Sequence, residues 1–405
     1  MKYAERIKYL FTLLLFVSIH LNSYGTHNRA GEITYEQINM LTFRFTLVTY
    51  TYSPSAANED RDFLTMNWGD GGSSEIPRID IIHLPDDIQK NIYIMNHTFP
   101  GPGVYEVSMS DPNRNADIIN IPNSVYTVFT VKTTLLIDPN LGFNNTPVLQ
   151  NPPVDKAALG QFFRHNPSAY DSDGDSLSYE MTFCLADNGN EIIGYEYPEA
   201  SDTIYVDPVT GDFIWDTPVQ IGEYNVAMKI NEWRNGVKIG SIIRDMQIEV
   251  EETDNHPPVI SQPDDYCITA GENLNFTVTA TDPDGDNIVL TAYGGPFSVD
   301  ESPAEFSSNN GTGNFSWNTV CSHIRQQPYS AIFRAEDINP EVNLTAYTEN
   351  QIQVVAPAPE NLNISPSSNA SFLSWDPYGC NNAAGFIIYR RHGSYSFTPS
   401  ECETG

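Results

Sequence analysis

Ala280-Thr-Asp-Pro-Asp-Gly-Asp286 sets three carboxylates at alternate positions and bends the chain with a glycine. Ala169-Tyr-Asp-Ser-Asp-Gly-Asp175 does the same. Calcium takes about six to eight hard oxygens in irregular geometry, and carboxylates spaced in this way converge on one ion. The segment before each loop adds oxygens. Asp254 and Asn255 would close a site with Asp282, Asp284 and Asp286, and Asn144 and Asn145 would do so with Asp171, Asp173 and Asp175. An EF-hand is excluded: its invariant glycine is the sixth residue, whereas Gly174 and Gly285 stand fourth, and the twelfth positions, Thr182 and Tyr293, carry no carboxylate. The same loops also make good hairpin turns, and the sequence leaves both readings open.

The elements that must position these loops are duplicated. Each loop follows a proline-marked junction, Asn145-Thr-Pro-Val148 in one case and His256-Pro-Pro-Val259 in the other. Pro147 stands as far from Asp171 as Pro258 does from Asp282, so a whole domain repeats, not two chance acidic turns. Later landmarks agree. A glycine-led strand with a core-type tryptophan appears as Gly211-Asp-Phe-Ile-Trp-Asp-Thr217 and Gly313-Asn-Phe-Ser-Trp-Asn-Thr319. Each copy closes on alternating strands, Gln247-Ile-Glu-Val250 and Gln351-Ile-Gln-Val354. About seven short strands in some 105 residues is the arithmetic of a β-sandwich.

Composition sets the wider bounds. The 405 residues leave room for several domains, and a net charge of −32 repels nucleic acid and anionic lipid while attracting cations. Short alternating runs rich in Tyr, Thr, Val and Ile, with no long helical periodicity after residue 25, predict an all-β chain of tandem immunoglobulin-like sandwiches. Residues 1–25 read as a signal peptide: Lys2, Arg6 and Lys8 precede an apolar core from Leu10 to Leu21 and a small-residue cleavage site at Ser23-Tyr-Gly25. The expected locale is therefore the cell surface or the extracellular space, with no further membrane span. Export permits disulfides among the five cysteines. Cys267 with Cys321, and Cys380 with Cys402, share domains and form the expected pairs, leaving Cys184 as a free, buried thiol. No Cys-x-x-Cys or His-x-x-x-His pair offers a zinc site.

Residues 26–140 carry Asn67-Trp-Gly-Asp-Gly-Gly72, then His97-Thr-Phe99, then Gly103-Val-Tyr-Glu-Val107. In that order these motifs resemble a PKD domain, which implies a β-sandwich with Trp68 in its core. Asp70 would serve either as a cation contact or as a turn carboxylate capping backbone amides. The long gap between the motifs predicts an enlarged loop from Ile76 to Asn96. Residues 141–252 and 253–355 resemble cadherin-like and immunoglobulin-like modules of bacterial surface proteins. The resemblance is carried by Asp282-Pro-Asp-Gly-Asp286, the Asp207-Pro-Val-Thr-Gly211 turn, the Glu251-Glu-Thr-Asp-Asn-His-Pro-Pro258 linker and Arg334-Ala-Glu-Asp337, which is similar to the Ala-x-Asp element of cadherins. Residues 356–405 open with the linker Ala356-Pro-Ala-Pro359. They then resemble the first strands of a fibronectin type III domain at Phe372-Leu-Ser-Trp-Asp-Pro377 and Gly385-Phe-Ile-Ile-Tyr-Arg-Arg391. Too few residues follow to finish such a sandwich, so the expectation is a fragment with a poorly packed end. The opening Thr26-His-Asn-Arg-Ala-Gly-Glu-Ile33 resembles the mature start of surface proteins of gliding Bacteroidota.

Gly-x-Ser-x-Gly, His-Glu-x-x-His and a phosphate-cradling glycine loop are absent. The sequence therefore points to a non-catalytic structural and adhesive chain, stiffened by calcium and facing a cell-surface protein or polysaccharide. The alternative is a polysaccharide-binding accessory region of a secreted hydrolase. That alternative predicts an exposed aromatic row, for which Tyr195, Tyr197, Tyr205 and Trp233 are the candidates.

Overall fold

The computed structural model describes residues 28–54, 61–112 and 114–380, together with 385, 386, 388 and 393. The expected signal peptide, Cys402 and most of Gly385–Arg391 lie outside the described residues.

The chain is all-β. In the first unit, β1 (Asn28–Gln37), β2 (Thr42–Tyr52), β3 (Phe63–Asn67), β4 (Ser73–His83), β5 (Ile88–Thr98), β6 (Gly103–Asp111) and β7 (Phe129–Ile137) run antiparallel in the order β1-β2-β5-β4-β3-β6-β7. Alternation dictates the faces: Phe43, Phe45 and Leu47 of β2 point inward with Trp68, Met66, Val107 and Val131 to build one core. The segment from Ile76 to Asn96 is not the enlarged loop expected from motif spacing. It is a hairpin of β4 and β5, with Ile81 opposite Asn91. Ile79, Ile81 and Ile82 are all exposed there, so the end of β4 lacks the buried/exposed alternation that marks a strand in sequence.

The second unit contains β8 (Val148–Leu149), β9 (Val154–Ala158), β10 (Phe163–His165), β11 (Ala169–Tyr170), β12 (Ser176–Thr182), β13 (Ile204–Val206), β14 (Phe213–Trp215), β15 (Gly222–Arg234) and β16 (Val237–Glu251). The third contains β17 (Val259–Ile260), β18 (Tyr266–Thr269), β19 (Asn273–Thr281), β20 (Asn287–Gly294), β21 (Glu305–Asn309), β22 (Thr312–Asn318), β23 (Tyr329–Ile338) and β24 (Thr345–Val355). Their main pairings correspond. An early strand lies parallel to the last, β9 on β16 and β18 on β24. Beside it runs the antiparallel set β16-β15-β12, or β24-β23-β20. Across the sandwich, β10-β14-β13 corresponds to β19-β22-β21. Trp215 and Trp317 are fully buried at the matching place, each donating its indole N–H to a carbonyl, of Glu199 and of Ser302.

Sheet continuity was not legible in the sequence. β16 pairs not only with β15 and β9 but with β7 of the first unit, Ile242 opposite Thr133, and touches β1 at Gly31. The first two units therefore share one sheet. Two buried ion pairs cross between them: Arg114 to Asp245 at 2.7 Å and Arg244 to Glu32 at 2.9 Å.

After the third unit, β25 (Asn363–Pro366) and β26 (Ser371–Ser374) form a hairpin whose Leu362, Ile364 and Phe372 are exposed. Trp375 is half-buried against Phe386, not sunk in a core. The cysteine pairing differs from expectation. Cys321 bonds to Cys380, with an S–S distance of 2.06 Å, not to Cys267. Pairing by shared domain fails because the chain after the third unit returns to it: Cys380 is buried at Cys321, and Tyr378 donates its hydroxyl to Pro357 O. Cys267 is itself disulfide-bonded. Cys184 is free and buried, as expected, and burial pushes its thiol well above its ordinary value.

Candidate metal centres

Both acidic loops lie where one unit meets the next. The loop between β11 and β12 faces the linker that leaves the first unit. Asn144 Nδ2 donates to the Tyr35 hydroxyl at 3.1 Å, and Gln37 N–H donates to Asn145 Oδ1 at 2.9 Å. The loop between β19 and β20 faces the linker that leaves the second unit, where Gln161 Nε2 donates to Asn255 O at 2.7 Å. Ala158 of the second unit packs there on Val342 and Leu344 of the third.

Three hydrogen bonds recur in the two loops. The first Asp caps its own loop: Asp175 N–H donates to Asp171 Oδ1, and Asp286 N–H to Asp282 Oδ1. The middle Asp holds the linker: Asn145 N–H donates to Asp173 Oδ2 at 2.6 Å, and His256 N–H to Asp284 Oδ2 at 2.8 Å. A linker amide reaches a fourth carboxylate: Asn144 Nδ2 to Glu232 Oε1 at 3.2 Å, and Asn255 Nδ2 to Asp337 Oδ2 at 2.7 Å. The turn reading therefore holds as geometry. It leaves several oxygens unused.

Glu232 and Asp337 were not among the residues expected from sequence. They occupy the same register, Glu232 opposite Leu177 on β12 and Asp337 opposite Ile288 on β20. Asp337 lay within the cadherin-like Ala-x-Asp segment, a readable signal; Glu232 carried none, being one of several charges in β15 with Glu223, Lys229 and Arg234. Of the residues expected, Asp171, Asp173 and Asp175 offer oxygens that all lie within 4.8 Å of one another. Among the described residues this is the one such group: at the second junction Asp284 holds His256 N–H, Asp286 takes Asn339 Nδ2 and Asp337 takes Asn255 Nδ2, while Asp254 stays exposed on the linker.

Burial makes these clusters costly as they stand. It pushes the Asp171 carboxyl up to about 6, with the charges of Asp175 and Asp173 adding to the shift. Burial also raises Glu232 well above its ordinary value, helped by Asp171, and raises Asp337, helped by Asp282 and Asp286. Asp171 Oδ2, Glu232 Oε2, Asp282 Oδ2 and Asn255 Oδ1 are buried with no hydrogen-bond partner among the described residues. Unused buried oxygens beside carboxylates that resist ionisation are the donor set of a hard cation. The residues fit calcium.

Asp70 is a turn carboxylate. It accepts from Gly72 N–H at 2.8 Å and lies 2.8 Å from His97 Nε2, and His97 stacks on Trp68. The four candidate aromatics do not make an exposed row. Tyr195 is buried, Tyr197 packs in its cluster, and Trp233 is half-buried with its N–H on Ser178; Tyr205 alone of the four is exposed.

The sequence matches no family model and no curated protein. Among solved structures it is similar to titin domains Z1Z2 in complex with telethonin, at 9% identity over 53% of this chain and 99% of that chain, with a TM-score of 0.20. It is also similar to the tandem Ig repeats of Dlar, at 18% identity over 52% and 98%, with a TM-score of 0.22. No helix among the described residues is long and apolar enough to cross a membrane.

Proposed function

We propose that the chain is a non-catalytic surface tether whose unit junctions are stiffened by calcium. The observation that carries this reading is the recurrence at both junctions of the same loop-to-linker hydrogen bonds beside buried, unpartnered oxygens, with the three carboxylates of the first loop converging within 4.8 Å. Asn145, Asp171, Asp173, Asp175 and Glu232 would hold the ion at the first junction; Asn255, Asp282, Asp284, Asp286 and Asp337 would hold it at the second. When bound, the ion supplies positive charge that keeps these carboxylates ionised. The chain's own part is to fix each linker against its loop through Asn145 and His256. The surface location, the adhesive role and an association with gliding follow the family resemblance of the opening residues and the modules.

Extracellular modules bind calcium at roughly 0.1–1 mM. At about 1 mM free calcium, a site of about 0.1 mM contributes only about 1.4 kcal/mol. Stiffness rather than stability is then the main effect. Titrating calcium against the full chain should raise Tm and narrow the spread of dimensions seen by small-angle scattering. Asp282→Ala with Asp284→Ala should remove most of the response. No response at several millimolar calcium would reduce both loops to turns.

A further inference from the structure

Superposing the two junctions by strand register exposes one exchange. Ser176 faces Trp233 across β12 and β15, and Asn287 faces Ile338 across β20 and β23. The next residue along is Arg234 in the first copy and Asn339 in the second. Each reaches the third Asp of its loop. Arg234 Nε and Nη2 grip both oxygens of Asp175, at 2.8 and 2.5 Å, and Asn339 Nδ2 donates to Asp286 Oδ2 at 2.8 Å.

The guanidinium does more than pair with Asp175. Its Nη1 donates to the carbonyls of Leu141 and Phe143 at 2.8 and 2.7 Å, and Nη2 donates to Asn144 Oδ1 at 3.0 Å. It thus gathers carboxylate, amide and backbone oxygens of loop and linker, the same chemical mixture that a hard cation gathers. At the second junction the residues aligned with Leu141 and Phe143 are Glu252 and Asp254, which add negative charge where the first junction has none. Each loop faces four carboxylates: Asp171, Asp173, Asp175 and Glu232, or Asp282, Asp284, Asp286 and Asp337. One guanidinium offsets the first set. An amide takes that place in the second, where the exposed His256 ring lies 3.2 Å from Asp284.

We infer that Arg234 is a tethered substitute for a cation, so that the first junction holds one metal ion fewer than the second. This rests on the calcium reading above and deepens it. Acidic residues alone do not carry it. Asn255, only 5% exposed, presents Oδ1 without a partner at the second junction, and a fixed cation stands at the equivalent register in the first. The consequence is an asymmetric tether. The first junction is largely locked by the chain itself, through Arg234 and the shared sheet, whereas the second responds to free calcium.

The test counts calcium bound to the full chain by equilibrium dialysis at a few millimolar free calcium, for wild type, Asn339→Arg and Arg234→Asn. Asn339→Arg should bind one ion fewer and Arg234→Asn one ion more. Because Arg234→Asn removes five hydrogen bonds, its Tm in chelator should fall, and calcium should restore it; a merely structural arginine would show the fall without the rescue. Variants that bind as many ions as wild type, with no rescue, overturn the substitution. A wild type that binds none overturns the calcium reading itself, and this inference with it.

Discussion

Arg114 and Asp245 carry opposite charges where water does not reach. Both are essentially unexposed, and Asp245 takes Arg114 Nη2 on one oxygen and Asn225 Nδ2, at 2.7 Å, on the other. Such a pair gains little over apolar residues of the same size, but losing one member strands the other. Asp245→Ala should therefore cost about 3–5 kcal/mol. Asp245→Leu combined with Arg114→Met should recover most of that loss, and denaturant unfolding of the single and double variants measures the coupling. If the double variant is no more stable than the single, the pair does not act as a unit. The sequence held a clue in Ile242-Ile-Arg-Asp-Met246, where two adjacent charges interrupt an apolar strand. Composition could not supply the partners, which lie in another unit.

At the scale of elements, β16 joins what the linker prolines separate in sequence. It forms ladders with β15, β7 and β9 and a contact with β1, and its Ile242 is fully buried in the second core. Ile242→Ala should cost about 2–5 kcal/mol. Calorimetry should show a single lowered transition containing both the first and second units, with the third unit's transition in place; two separable transitions for the first two units would contradict the shared sheet. Much of the architecture was readable beforehand because period-two alternation and paired landmarks are local. Trp215 and Trp317 are core residues as their glycine-led contexts implied, and Trp68 is one as its Trp-Gly-Asp-Gly motif implied. What stayed hidden was non-local. Alternation identifies a strand but not its neighbour, which is why the β4–β5 hairpin read as a loop and β16 as a closing strand of one domain. The cysteine partners depended on where the chain returns after Pro357, and the candidate sites lacked Glu232 and Asp337 because hairpin register, not spacing, brings them to the loops.

The whole molecule is held at its second junction by a buried polar network as well as by the acidic loop. His165 Nδ1 lies 2.8 Å from Asp155, which also accepts the Tyr347 hydroxyl at 2.9 Å; Tyr347 in turn accepts from Arg334 Nε and Asn151 Nδ2, each at 3.1 Å. Burial lowers the His165 pKa below its ordinary value. The nearby Arg244 and Arg334 push the same way, and Asp155 opposes them. The neutral ring fits the geometry, since buried Nε2 has no hydrogen-bond partner among the described residues and a proton placed there would have none either. The sign of the pH dependence follows. Below about pH 6.5 the unfolded chain takes up a proton at this histidine while the folded chain does not, so the unfolded state is favoured as pH falls. The slope approaches about 1.4 kcal/mol per pH unit until the lowered folded value is reached. The fold should thus lose stability between neutral and mildly acidic pH even with calcium absent. His165→Gln should flatten that part of the stability profile, measured by denaturant unfolding from pH 7.5 to 5.5 in chelator. An unchanged slope in the variant would assign the acid sensitivity to other groups and leave the junction's network indifferent to protons.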